Sequence, residues 1–148
     1  MSRKYETTNF ENEFKSAHLK IRKKLKFGRL TGVPLEPRTI LADFKKAEGT
    51  LLVNMSHQAP HMMRDIFAKH FNLQVNDIRV ICKDVGGGCG IKVHSYAEEM
   101  IAVASSIILN RPVKYTADRL ESFGSDIHAR EHEIEVEAAF QNDGTLVG

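Results

Sequence analysis

The chain has 148 residues, of which 42% are hydrophobic, and a formal charge of +2 from 21 lysines and arginines against 19 aspartates and glutamates. This length and composition predict one globular domain and argue against a disordered or fibrous protein. The balanced charge does not indicate a nucleic-acid partner. Two cysteines cannot form a multi-bridge disulfide framework, and the longest apolar run, residues 100–109, is shorter than the roughly 20 residues of a membrane-spanning helix. We therefore expect a cytoplasmic protein without membrane insertion.

Extended structure is predicted for much of the first half of the chain. Residues 1–18 are polar and are interpreted as a separate N-terminal segment. Residues 19–27 alternate apolar side chains with lysine and arginine, which is typical of a half-buried strand. Residues 31–38 contain two prolines and predict an extended connection. Short strands are expected at residues 51–53 and 78–82.

Two main helices are predicted, over residues 60–71 and 96–109. Pro60 suits the first turn of the first helix, where its missing N–H is not needed. Ser95 and Glu98 have the spacing of a capping box for the second helix. This second helix is apolar nearly all round, so we expect it to be covered on most faces. Residues 110–112, Asn-Arg-Pro, should end it.

The C-terminal segment predicts a β-hairpin. Residues 133–137 alternate strictly between glutamate and a branched apolar side chain, and Asn-Asp-Gly at 142–144 is a hairpin turn signal. Only four residues remain for the return strand, which indicates truncation at the C-terminus. The sequence thus predicts an α+β fold, with mixed or antiparallel strands and two main helices, in which residues 19–148 are part of a larger domain.

The run Gly86-Gly87-Gly88-Cys89-Gly90 follows a predicted strand and precedes a helix. Backbone without side chains can approach a ligand closely and present its N–H groups to it. The P-loop pattern fails because Lys92 is separated from the run and is followed by valine, and the dinucleotide-binding pattern would need a glycine where Ile91 stands. A tight turn without a ligand is the alternative. Four glycines in five residues favour a ligand.

Several other polar residues invite a functional interpretation. His128, Glu131 and His132 have the H-x-x-E-H order of a zinc hydrolase, but that motif needs a helix and this segment predicts a strand. Pro60 breaks the geometry that would pair His57 with His61. From its position alone, Gln58 could cap a helix or donate a hydrogen bond into a cleft, with capping favoured. Cys89 is expected to be an inert side chain in a tight turn.

Five motifs in a fixed order carry a family resemblance that none of them carries alone. They are Pro-Leu-Glu-Pro-Arg at 34–38, Gln-Ala-Pro-His at 58–61, Asp-Val-Gly-Gly-Gly-Cys-Gly-Ile-Lys at 84–92, Arg-Pro-Val-Lys at 111–114 and Asp-Arg-Leu-Glu at 118–121. In this order the chain resembles the molybdopterin-binding large subunit of the xanthine dehydrogenase, aldehyde oxidase and carbon monoxide dehydrogenase family.

The resemblance implies roles for residues of two motifs. Gln58 would hydrogen-bond an oxo ligand of the molybdenum centre, which replaces the capping interpretation. Gly87, Gly88, Cys89 and Gly90 would line the molybdenum–molybdopterin cofactor, expected in its cytosine dinucleotide form, with no protein metal ligand. The sequence departs from the family at Cys89, where phenylalanine is usual, so an aromatic wall of the substrate pocket is missing.

The resemblance also implies an activity and partners. The family hydroxylates or oxidises a small substrate (carbon monoxide, an aldehyde or an N-heterocycle) with oxygen from water, and electrons leave through 2Fe-2S clusters and FAD. An iron–sulfur small subunit and an FAD-binding medium subunit are therefore expected as partners. No segment matches the motif around the family's catalytic glutamate, so we expect the chain alone to be inactive. The alternatives are a non-catalytic remnant of a split or decayed gene and, less favoured, the zinc hydrolase.

Overall fold

A computed structural model describes residues 3–5 and 9–148. In chain order the helices and strands are α1 (Phe10–Ser16), β1 (Leu19–Leu30), β2 (Thr39–Lys45), β3 (Thr50–Met55), α2 (Pro60–Phe71), β4 (Ile78–Ile81), α3 (Ala97–Leu109), β5 (Val113–Thr116), α4 (Arg119–Ser125) and β6 (Ala129–Phe140). Two compact units result, one comprising residues 31–129 and the other the described residues before 31 together with 130–148. No helix in the described ranges has the length and apolar character needed to span a bilayer. The predicted division of the chain into an N-terminal segment, residues 1–18, and a partial domain, residues 19–148, stays a prediction.

The larger unit contains a four-stranded mixed sheet in the order β4-β3-β2-β5. Strand β2 is antiparallel to both β3 and β5, whereas β3 and β4 are parallel. One face of this sheet forms the core with α2 and α3, and its members are Ile40, Ala42, Leu51, Val53, Met63, Phe67, Ala102 and Val103. The predicted α+β class with mixed strands and two main helices is confirmed.

Local sequence explains the ends of α2 and α3, but the predicted capping residues of α3 need one correction. Helix α2 begins at Pro60 as predicted, and α3 is followed by Asn110 in the left-handed conformation, with φ of 50°. The predicted capping box is wrong by one residue: Tyr96 occupies the N-cap, and the Glu99 carboxylate accepts its backbone N–H at 3.1 Å. Glu99 is 2% exposed, and this burial raises its pKa to about 7. The hydrogen bond from the Tyr96 N–H lowers the pKa, but its effect is smaller than that of burial.

Helix α3 is less covered than its composition predicts. Ala102, Val103 and Ser106 are buried, but Ile101 and Ile108 are 62% and 79% exposed. The described residues thus cover only the inner face of this helix, and the prediction of burial on most faces is wrong for this part of the chain. Ser106 is satisfied in the core because its Oγ accepts the Phe44 N–H and donates to a carbonyl after the helix.

A buried ionic cluster, which we call the Arg38 cluster, fastens the extended segment before β2 to two helices. The Arg38 side chain is 1% exposed, and its Nε donates to Asp126 Oδ1 at 2.6 Å. Its Nη2 donates to Ser125 Oγ at 2.8 Å, and Nη1 lies 3.5 Å from Glu98 Oε2. The guanidinium also stacks on the Tyr96 ring, 3.7 Å from its centroid. All faces of this buried cation are therefore occupied by protein groups.

The smaller unit is built on a two-stranded sheet of β1 and β6. Its polar face carries cross-strand ion pairs, including Arg22 with Glu135 at 2.9 Å and Lys24 with Glu133 at 2.9 Å. The predicted hairpin turn is confirmed, since residues after Gly144 return beside β6 and Leu146 forms a bridge with Phe140. The predicted strands at 19–27 and 133–137 are confirmed as strands and extend further than predicted. The expected half-buried face of residues 19–27 is wrong for the described part of the chain, because every residue of β1 is exposed.

Candidate functional site

The glycine run forms a tightly turned loop between β4 and the 3-10 turn Ile91–Val93. Three of its residues have positive φ: Gly87 at 100°, Cys89 at 48° and Gly90 at 82°. Glycine adopts this conformation at low cost, whereas a cysteine there is uncommon. The loop is closed on itself by a hydrogen bond from Ile91 N to the Gly88 carbonyl at 2.8 Å.

The glycine loop lies directly against the extended segment 32–36. A Cβ added to Gly86 would stand 2.6 Å from Glu36 Cβ, and one added to Gly32 would stand 2.6 Å from Cys89 Cβ. Backbone hydrogen bonding reinforces this contact, because Glu36 N donates to the Gly86 carbonyl at 3.1 Å. Both positions favour glycine, because an added Cβ would collide with the Cβ of the facing residue, which its own backbone holds in place.

One carboxylate oxygen holds the loop, the end of β3 and the 3-10 turn together. Glu36 Oε2 accepts hydrogen bonds from Ser56 Oγ at 2.5 Å, Gly86 N at 2.8 Å and Lys92 Nζ at 2.8 Å. Lys92 is 1% exposed. Burial raises the pKa of Glu36, but hydrogen bonds from Lys92, Ser56 and Gly86 outweigh it and lower the pKa to about 2. We call these four residues the Glu36 anchor.

Gln58 lies at the junction between β3 and α2, beside the glycine loop. Its backbone N–H donates to the Lys92 carbonyl at 2.9 Å. Its side-chain amide occupies the space that a Cβ on Gly88 would fill. The amide is exposed and has no hydrogen-bond partner among the residues that the structure describes, so it does not cap α2.

The loop also presents backbone donors without protein acceptors. Within residues 3–5 and 9–148, the N–H groups of Gly88, Cys89 and Gly90 donate to no protein atom. Together with the Gln58 amide, which lies against Gly88, they form a set of donors that we call the donor loop. Such a set suits a ligand with several acceptor oxygens or nitrogens that must come close to the backbone. The predicted residues Gln58, Gly88, Cys89 and Gly90 are thus brought together, with Gly87 packed behind them against Pro34.

The zinc motif does not form the geometry that it needs. His132 lies within β6, and His128 precedes that strand, so the two histidines do not stand one helical turn apart. In the described part of the chain no group of three or more histidine, cysteine, aspartate or glutamate side chains is placed to hold a metal ion. The segment is a polar strand edge.

Sequence patterns gave no role to three residues important to this site, Glu36, Ser56 and Lys92, although Glu36 and Lys92 lie within two of the family motifs. Glu36 is 20 residues from Ser56 and 56 from Lys92 along the chain. The available signal was weak: a lysine between Ile91 and Val93. Lys92 is buried in the folded protein, and a buried ammonium group needs a partner, which the Glu36 carboxylate supplies.

Sequence comparison gives the family of this α+β domain. The sequence model of the molybdopterin cofactor-binding domain matches residues 1–148. The chain therefore belongs to the molybdopterin cofactor-binding domain family.

Curated relatives and solved structures agree with this assignment. The carbon monoxide dehydrogenase large chain of Hydrogenophaga pseudoflava is 31% identical over 135 residues, which cover 91% of this chain and 17% of that protein. The nicotine 6-hydroxylase large subunit of Paenarthrobacter nicotinovorans is 33% identical over 121 residues, or 82% of this chain and 15% of the relative. Reconstituted CO dehydrogenase from Oligotropha carboxidovorans superposes with a TM-score of 0.86 at 31% identity, covering 95% of this chain and 18% of that structure. The chain thus spans less than a fifth of the length of these proteins.

Proposed function

We propose that this chain supplies a cofactor-lining segment of a molybdenum-dependent oxidoreductase subunit, with the donor loop holding the molybdenum–molybdopterin group. The observation that carries the proposal is the proximity of the Gln58 amide to the backbone N–H groups of Gly88, Cys89 and Gly90, none of which has a hydrogen-bond partner among the described residues. Family membership supports the nature of the ligand. Gly87, Gly88, Cys89 and Gly90 are the residues proposed to lie against the cofactor.

The arrangement fits the chemistry of this cofactor. A pterin edge carries several acceptors, and the glycines leave room for it to approach the backbone. When bound, the molybdenum–pterin group supplies the redox chemistry, and the protein contributes position and electrostatics. Gln58 would donate a hydrogen bond from its amide nitrogen to an oxygen on the metal, which fixes the orientation of the group. The Glu36 anchor keeps the loop at a set distance from Gln58.

The finer assignments are part of the same proposal. We expect the cytosine dinucleotide form of the cofactor, and 2Fe-2S and FAD on an iron–sulfur small subunit and an FAD-binding medium subunit. The substrate would be a small molecule of the carbon monoxide, aldehyde or N-heterocycle class, as the names of the relatives suggest. The chain alone is expected to be inactive, because the family's catalytic glutamate has no counterpart in these residues.

Cys89 supports the rival proposal of a non-catalytic remnant. It stands exposed at the loop position where the family usually has an aromatic side chain, in a left-handed conformation with φ of 48°. A remnant would keep the fold and the Glu36 anchor but show no turnover. The enzyme is favoured because the donor loop is intact in every other respect.

Turnover by the parent enzyme separates the two proposals, and replacing Gln58 with alanine then tests the role assigned to its amide. We expect kcat of the assembled enzyme that carries these residues to fall on the order of 10²-fold, the size of effect typical of removing a preorganised donor. Molybdenum content should change little, since the backbone donors remain. Gln74→Ala, at an exposed glutamine before β4, is the matched control and should leave kcat unchanged. An unchanged kcat in Gln58→Ala would contradict the assigned role.

A further inference from the structure

His57 is a buried titratable residue for which the proposed function has no use. It is 2% exposed and lies between Ser56 of the Glu36 anchor and Gln58 of the donor loop. Buried polar side chains in native proteins are hydrogen-bonded, so its two ring nitrogens show what it does. Both of them contact backbone groups that flank the donor loop.

The hydrogen bonds of His57 define its tautomer. Nδ1 lies 2.9 Å from the Ala59 nitrogen, and because a backbone N–H only donates, Nδ1 must be the acceptor. Nε2 lies 3.3 Å from the His94 carbonyl, which only accepts, so Nε2 carries the proton. The ring is therefore neutral. Burial lowers the pKa of His57, in agreement with this assignment.

These two bonds fix the backbone on both sides of Gln58. The Nδ1 bond closes a turn from residue 57 to residue 59, of the kind that aspartate and asparagine side chains make with the N–H two residues on. It also satisfies the N–H of Ala59, the N-cap residue of α2, whose own side chain makes no capping bond. The Nε2 bond reaches the segment that follows the glycine loop, as does the bond from Gln58 N to the Lys92 carbonyl. Gln58 thus sits at the apex of a turn held from two directions.

We infer that His57 is a positioning residue that sets the Gln58 amide against the glycine loop through the hydrogen bond from Ala59 N to its Nδ1. This inference rests on the proposed function, in which the orientation of the Gln58 amide matters because the amide donates a hydrogen bond to the cofactor. It assigns His57 no contact with cofactor or substrate. Any residue at 57 with an acceptor at the place of Nδ1 should perform the same task.

Three substitutions distinguish the effects of the two His57 hydrogen bonds from the effect of the volume of its ring. His57→Asn keeps an acceptor oxygen near the place of Nδ1, His57→Gln keeps a donor near the place of Nε2, and His57→Phe keeps the ring volume without either group. His70→Phe is the control, because His70 is exposed and bonds only the Ile66 carbonyl within its own helix. The first measurement is amide hydrogen exchange at Ala59 in the 148-residue chain. The second is kcat and KM in the assembled enzyme.

Exchange at Ala59 should accelerate about tenfold in His57→Phe and His57→Gln, the effect of losing one hydrogen bond, and remain near the parent rate in His57→Asn. In the enzyme, kcat should fall in the first two variants at unchanged KM and recover in His57→Asn. Equal effects of all three variants, or an Ala59 exchange rate in His57→Phe equal to the parent's, would overturn the inference. A parent enzyme without molybdenum would instead contradict the proposed function, while exchange at Ala59 would still decide whether His57 holds the turn.

Discussion

Replacing Arg38 with methionine is expected to lower the free energy of unfolding by about 3–5 kcal/mol, the range for removing one partner of a buried ion pair. The loss is large because the Asp126 carboxyl group, whose side chain is 3% exposed, would lose its ion-pair partner in the core. Methionine fills a similar volume, so the effect reports the lost interactions more than a cavity. Chemical denaturation of the parent and the variant measures the difference.

Lysine at position 38 should not rescue the protein. A lysine has one nitrogen where the guanidinium uses its Nε for Asp126 and its Nη2 for Ser125, and it cannot stack on Tyr96 as a plane. Arg79→Met, at an exposed arginine on β4, is the matched control and is expected to change stability by no more than about 0.5 kcal/mol. A fully stable Arg38→Lys variant would show that charge alone, without the planar fork, is sufficient.

Replacing Glu36 with glutamine is expected to cost about 3 kcal/mol, the low end of the range for a broken buried pair because the carboxylate is about one third exposed. The variant leaves Lys92 buried and charged with only a neutral acceptor. Lys92→Met should cost less, since Glu36 keeps the bonds from Ser56 and Gly86 and has access to water. Urea denaturation of both variants tests this order, with Glu48→Gln and Lys83→Met as exposed controls. A larger loss of stability in Lys92→Met than in Glu36→Gln would contradict the central place of Glu36 in the anchor.

The parent protein and the Glu36→Gln variant should also differ in how their stability changes at acidic pH. The pKa of Glu36 is about 2 in the folded protein and near 4.5 in the unfolded chain. A carboxyl group with a lowered folded pKa stabilises the fold above its unfolded pKa, and this contribution is lost as the pH falls through its folded pKa. The parent should therefore lose stability between about pH 4.5 and about pH 2 more steeply than Glu36→Gln. Parallel curves over this window would mean that Glu36 does not carry the charge of the anchor.

The sheet and its helices illustrate what local patterns reveal. Strands β3 and β4 and helices α2 and α3 were predicted, because short apolar runs, Pro60 and residues 110–112 mark them. Strand β2 was missed after the proline-rich segment, although Ile40, Ala42 and Phe44 alternate as a strand requires. Helix α4 was also missed, although Asp118 and Glu121 form a capping box. Both elements are seven residues long, so their periodicity is brief.

The candidate site was partly accessible from sequence. The order of five motifs pointed to Gln58 and the glycine run. The contacts that hold them in place were not accessible, because Glu36 and Lys92 meet only when the segment before β2 folds against the turn after β4. No pattern of period two or 3.6 encodes a contact across 56 residues. The role of His57 could not be predicted for a related reason, because it depends on where the His94 carbonyl lies in the folded chain.

Metal analysis is the most direct test of the central claim that the donor loop belongs to a molybdenum–pterin site. The polypeptide that carries these 148 residues would be purified, folded, from cells supplied with molybdate, and its molybdenum content measured against protein concentration. We predict about one molybdenum per polypeptide, held through the pterin and not through a protein ligand. A folded protein without molybdenum would contradict the claim.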